Sequence, residues 1–179
     1  MSVVQTVVVA LWLMLPAYVP NNAAVVLGGG MPVDFGREWR GDRILGDGKT
    51  WRGGVAGVGA GFGLALVQTA TVTQGFVPEF LPMFEPVSAF GLALGAILGD
   101  MGASFLKRRT GRERGAPFPG VDQLDFVVGA FVVTALLAPG WFFEKFTVEV
   151  VVAVLVLTPL LHVTTNLIAY RLGLKDEPW

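Results

Sequence analysis

The sequence predicts an all-α integral membrane protein, a bundle of five transmembrane helices with its N-terminus outside and its C-terminus in the cytoplasm. Three observations predict it. Hydrophobic residues make up 53% of the chain and charged residues only 15%, a composition suited to contact with lipid rather than water. Five apolar runs approach or exceed the roughly 20 residues that a helix needs to cross about 30 Å of hydrocarbon. The ionisable residues crowd into short windows between those runs, so the formal net charge of −1 conceals a strong segregation.

The runs cover residues 3–30, 53–72, 83–99, 124–143 and 148–170, with loops 31–52 and 100–123 on the cytoplasmic side of a single domain, 1–179. The first carries no charge and lacks the basic start of a signal peptide, so it belongs to the mature protein. Pro20 interrupts it, and a helix broken there leaves Asn21 and Asn22 either lining a cavity or satisfying the broken backbone. The second places Gly53, Gly57 and Gly61 at four-residue spacing, with Gly59 and Gly63 beside them, a pattern that lets another backbone approach closely. Pro82, Pro86 and Pro139 blur the outer ends of the third and fourth. The fifth carries His162, whose simplest role is a helix-to-helix hydrogen bond, and Asn166, closer to the inner face.

Orientation follows from the basic residues. Arg37, Arg40, Arg43, Lys49 and Arg52 lie in the first loop, Lys107, Arg108, Arg109, Arg112 and Arg114 in the second, and Arg171 and Lys175 in the tail. Only Lys145 falls on the other side. Basic residues in short loops stay in the cytoplasm, which fixes the topology. A net charge of −1, with the ionisable residues confined to short windows between apolar runs, gives no basis for nucleic-acid binding. The absence of cysteine excludes disulfides, thiolate metal sites and thiol nucleophiles.

Two regions carry chemistry. Residues 46–54, Gly-Asp-Gly-Lys-Thr-Trp-Arg-Gly-Gly, run directly into the second helix. Glycines open the backbone to an anion, a helix start adds its dipole, and Lys49 and Arg52 add charge-assisted hydrogen bonds. The Walker A spacing is absent, and a basic surface against anionic lipid heads explains the same residues equally well. The second region is acidic. Asp100 closes the third span, where an anion opposes the macrodipole and needs compensation. Asp122 and Asp125, three residues apart, share a face of the fourth helix's first turn, where acidic residues also serve as ordinary caps. Topology brings all three carboxylates to the membrane face of Lys49 and Arg52, an arrangement suited to Mg²⁺ holding a nucleotide triphosphate.

These blocks carry a resemblance. Gly48-Lys49-Thr50-Trp51-Arg52-Gly53, then Gly99-Asp100-x-x-x-Ser104-x-x-Lys107-Arg108, then Pro119-Gly120-Val121-Asp122-Gln123-Leu124-Asp125 resemble the phosphatidate cytidylyltransferase family. The short chain, and Asn21-Asn22-Ala23-Ala24 followed by Gly28-Gly29-Gly30, look most like its archaeal branch, the CDP-archaeol synthases. Departures from the bacterial signature are Arg112-Glu113-Arg114 in place of a Lys-Asp pair, no His-Gly-Gly before the aspartates, and Gln123 in place of arginine.

The resemblance implies cytidylyl transfer from CTP to an archaeal diether lipid phosphate, with Asp100, Asp125 and Lys49 catalytic. It implies Mg²⁺ on Asp100, Asp122 and Asp125, and substrate binding by Lys49, Thr50, Arg52, Ser104, Lys107, Arg108, Asn21 and Asn166. A phosphate monoester is already a nucleophilic dianion at neutral pH, so His162 is not needed as a base. Two other readings compete. A CDP-alcohol phosphotransferase needs a longer aspartate motif that this chain lacks, and a small transporter normally carries its ionisable residues near the bilayer midplane.

Overall fold

The computed structural model describes residues 1–111, 118 and 120–173; Arg112, Glu113, Arg114, Pro119 and Lys175 lie outside the described residues. Within them the chain forms α1 (Val3–Leu27), a short antiparallel hairpin of β1 (Glu38–Trp39) and β2 (Asp42–Arg43), then α2 (Trp51–Thr73), α3 (Pro86–Arg109), α4 (Val121–Leu137), α5 (Pro139–Lys145) and α6 (Val148–Arg171). The hairpin is an addition to the all-α expectation. Its turn residues, Arg40 and Gly41, have φ of 58° and 87°, the primed geometry that matches the twist of paired strands.

Four helices, α1, α2, α3 and α6, are long and apolar enough to cross a membrane. The predicted fourth span, 124–143, is instead two helices. Ala138 leaves helical geometry and Pro139 opens α5, because proline disfavours the α conformation in the residue before it. α4 starts three residues earlier than expected and has 17 residues.

Helix α1 does not break at Pro20. It runs to Leu27 with Pro16 and Pro20 both inside and buried, and its neighbour explains why. A Cβ on Gly61 would sit 2.3 Å from the Pro16 carbonyl oxygen, one on Gly57 2.6 Å from that of Pro20, and one on Gly53 2.9 Å from that of Ala24. The glycine stripe of α2 therefore lies directly on the carbonyl ridge of α1, holding the helix in register across its missing donors. Gly59 and Gly63 face open space and take no part.

A second seam joins α3 to α4. A Cβ on Gly95 would lie 2.4 Å from the Gly129 carbonyl oxygen, and one on Gly99 2.2 Å from that of Asp125. These backbones touch, which sets Asp100 beside Asp125. Helix α3 also runs ten residues past its expected end at 99, stopping at Arg109 before Thr110 and Gly111. Asp100 is thus well inside the helix, away from the negative macrodipole end. That end carries Lys107, Arg108 and Arg109, the charges it favours.

At the far end of the bundle, Phe84, Trp141, Phe131, Phe142 and Phe146 form a cluster of tilted, edge-on and stacked rings. Trp12 and Trp141 donate their indole N–H groups to the carbonyls of Pro82 and Met83. One end of the molecule is packed by aromatic rings, and the other holds the polar cavities.

Candidate active site

The first loop is organised by Asp34, which the sequence reading passed over. Its carboxylate is buried and accepts hydrogen bonds from the backbone N–H groups of Gly36, Leu45 and Gly46 and from the Arg43 guanidinium at 2.7 Å. Burial alone pushes this carboxyl upward; the Arg43 bond and the three backbone donors outweigh it, holding it well below the usual carboxylate range. The loop is closed at its base, where Val33 N–H donates to Lys49 O and Trp51 N–H to Met31 O. Arg109 fastens the hairpin to α3, donating to the carbonyls of Trp39, Asp42 and Arg43 while its guanidinium lies over the rings of Trp39 and Phe105.

So held, residues 46–54 deliver Lys49 to α3, where its ammonium pairs with Asp100. Lys107 likewise pairs with Asp122 at 2.5 Å. Asp122 also accepts the Phe118 backbone N–H at 2.9 Å. Among the described residues Asp125 makes no ion pair, and its Oδ1 accepts the N–H of Phe126.

Two cavities meet here. The larger, roughly 520 Å³, is lined by Asp100, Asp122, Asp125 and Lys107, by Asn21 and Asn22 from α1, and by His162, Thr165 and Asn166 from α6. Its wall includes Tyr18, whose hydroxyl is 2.8 Å from that of Thr158 on α6. The smaller, roughly 130 Å³, lies over Gly48, Lys49, Thr50, Gly53 and Gly54. Asn21 and Asp100 belong to both, and the buried Asn21 Oδ1 has no hydrogen-bond partner.

The expected ligands meet these cavities unequally. Thr50 is the N-cap of α2, its hydroxyl accepting the Gly53 N–H at 3.1 Å, so its oxygen already has a structural use. Arg52 is exposed on the first turn of α2 and lines neither cavity, nor does Ser104. Arg108 turns toward Gly46 and a separate hollow beside the hairpin. Asp122 is not the N-cap of α4; Gly120 is. The contribution missed in sequence, Tyr18, carries no signal beyond being polar in an apolar helix, whereas Thr158 and Thr165 line the cavity as polar residues within a span are expected to.

Among the described residues no three acidic or histidine side chains converge closely enough to form a ready-made metal cage. The donor chemistry nevertheless fits a magnesium ion arriving with a nucleotide, which needs only one or two carboxylates beside phosphate oxygens and water. Asp100, Asp122 and Asp125 face one cavity. Asp122 Oδ1 is buried and, although close to Lys107 Nζ, lies outside hydrogen-bonding geometry with it.

This geometry has close relatives. The model of a family described as CarS-like: CDP-archaeol synthase matches residues 3–179. A CDP-archaeol synthase of Haloarcula marismortui is 61% identical over the whole of both chains, and one of Halobacterium salinarum 58%. One of Methanosarcina barkeri is 49% identical over 93% of this chain and all of its own. A solved structure of an intramembrane enzyme for archaeal membrane lipids biosynthesis superposes with a TM-score of 0.72 at 40% identity, covering 88% of this chain and 92% of that one. Together with four membrane-length helices, these likenesses make the protein a multi-pass membrane protein. Matched almost end to end in sequence and in shape, the chain belongs to the family of CDP-archaeol synthases.

Proposed function

We propose that the whole chain is a single cytidylyltransferase domain that moves the cytidylyl group of CTP onto an archaeal diether lipid phosphate, 2,3-bis-O-geranylgeranylglycerol 1-phosphate, giving CDP-archaeol and pyrophosphate. α4, at the lower limit of span length, is the fifth crossing, with both basic loops and the active site on the cytoplasmic side. The observation that carries the reading is the meeting of three carboxylates, two lysines and a glycine-rich helix start at two adjoining cavities.

A lipid phosphate oxygen attacks the α-phosphorus of CTP; a P–O bond to the lipid forms, the bond to the β-phosphate breaks, and pyrophosphate leaves. The attacking group is a dianion and no residue has to remove a proton from it. Triphosphate oxygens compete with Asp100 and Asp122 for the ammonium groups of Lys49 and Lys107. Asn21 presents an unpartnered amide oxygen, an acceptor, at the junction of the cavities. Asp100, Asp122 and Asp125 would hold Mg²⁺, which would supply charge neutralisation on the phosphates. Placement and electrostatics therefore supply the rate enhancement.

The test is incubation of the purified protein with α-labelled CTP and matched diether and diester lipid phosphates. Label enters the diether lipid in preference. Label in neither lipid rejects the reading.

A further inference from the structure

Three cations end α3, and each goes its own way. Lys107 pairs with Asp122, Arg108 turns toward Gly46, and Arg109 reaches the hairpin of the first loop. Arg109 lines neither cavity, so the chemistry described above gives it no part. Its guanidinium donates to the carbonyls of Trp39, Asp42 and Arg43. It also lies 5.3 Å and 5.5 Å from the ring centres of Trp39 and Phe105, which stack on each other. A flat fork with several donors makes such a contact, and the point charge of an ammonium does not.

Those contacts join α3 to a unit that is bonded internally. Arg43 holds Asp34, Asp34 accepts the Gly46 N–H, and the Gly46 carbonyl accepts the N–H of Lys49 at 3.2 Å. A displacement of the hairpin therefore passes to Lys49. The Lys49 ammonium in turn meets the same helix at Asp100, nine residues before Arg109 and about 13 Å along the axis. These are two attachments of one loop to one helix, and the first is given up in use, because the ammonium that serves a triphosphate is the one Asp100 releases. Resting on the cytidylyl-transfer reading, we propose that Arg109 is a positioning residue for the reaction, holding the first loop on α3 while Lys49 exchanges Asp100 for the phosphates of the nucleotide.

Without the fork, the loop has to be ordered at the moment the nucleotide binds, and that conformational entropy is subtracted from nucleotide affinity. Arg109→Lys keeps the charge and loses the fork. It is expected to raise KM for CTP about tenfold, while kcat at saturating CTP and KM for the lipid phosphate change less than about twofold. A double-mutant cycle separates positioning from direct contact. In a Lys49→Ala background the same substitution is expected to change KM for CTP by less than about twofold, since Arg109 acts through Lys49.

A second measurement needs neither lipid nor turnover. Amide exchange at Ile44, whose N–H donates to the Arg37 carbonyl, is expected to be about tenfold faster in Arg109→Lys than in the unaltered protein. Labelled CTP, followed by equilibrium dialysis with Mg²⁺, is expected to bind that variant about tenfold more weakly. An unchanged KM for CTP in Arg109→Lys, or an equal loss with and without Lys49, overturns the proposal; the equal loss is what a direct nucleotide contact or a general loss of fold would give. The expected changes in exchange and CTP binding, in a protein that turns over no lipid phosphate, reject cytidylyl transfer and leave the assignment of Arg109 standing. Turnover with exchange and CTP affinity unaltered in the variant does the reverse.

Discussion

Three side chains divide the chemistry at the smallest scale. Asp100 pairs with Lys49 and lines both cavities, so Asp100→Asn removes charge from the centre of the site without changing its shape. Lipid cytidylylation is expected to fall by about a hundredfold or more, while the variant still inserts and elutes as the unaltered protein does. Asp122→Asn keeps an acceptor for the Phe118 N–H and is expected to lose less. Lys49→Ala chiefly impairs nucleotide handling, read as a higher CTP requirement at saturating lipid. Asp34 is a structural counterpart, its folded pKa depressed below its unfolded one. Its contribution to loop stability is thus complete above about pH 4 and lost as acid takes the pH down through the lower folded value. Amide exchange at Leu45 and Gly46, corrected for the intrinsic rate, is expected to stay protected from neutrality to that point. It should be about tenfold faster in Asp34→Asn, which loses a charge-assisted hub. Asp34 was invisible in the sequence because a lone aspartate in a loop looks like any solvated one; its donors come from residues up to twelve positions away.

Helices position these groups through contacts made without side chains. Gly95 and Gly99 let α4 approach α3 until backbone meets backbone, and the alignment of Asp100 with Asp125 depends on it. Gly95→Ala places a methyl within 2.4 Å of the Gly129 carbonyl oxygen. It is expected to cost about 1–3 kcal/mol of stability and to lower activity by separating the carboxylates. Gly63→Ala meets nothing within 4 Å and is expected to be neutral or to stabilise α2 by roughly 0.5–1 kcal/mol. Thermal unfolding of the two variants in one detergent makes the comparison. The α2 stripe was legible from spacing alone, at Gly53, Gly57 and Gly61. The matching seam at Gly91, Gly95 and Gly99 has the same spacing in sequence and was overlooked. Helix ends were less legible. The continuity of α1 through Pro20 depends on a partner helix, and the length of α3 depends on a polar extension that hydropathy cannot register.

Over the whole molecule, composition alone identified the solvent, and the segregation of charge assigned the chemistry to one end. The clustering of Asp100, Asp122 and Asp125 at one cavity with Lys107 was readable from topology. The capping of α2 by Thr50 and the exposure of Arg52 were not, because both depend on local geometry that residue type does not record. Topology itself is testable: reporters fused after Trp39, Gly111 or Trp179 are expected in the cytoplasm, and an external reporter after Gly111 reverses the orientation. The central claim concerns which bond of CTP is broken. Parallel reactions with α-labelled and γ-labelled CTP, extracted into organic solvent, test it directly. The α-label should appear in lipid in a one-to-one ratio with pyrophosphate released, while the γ-label stays wholly in the pyrophosphate. Label from the γ position in the lipid would reveal phosphoryl rather than cytidylyl transfer and contradict the account.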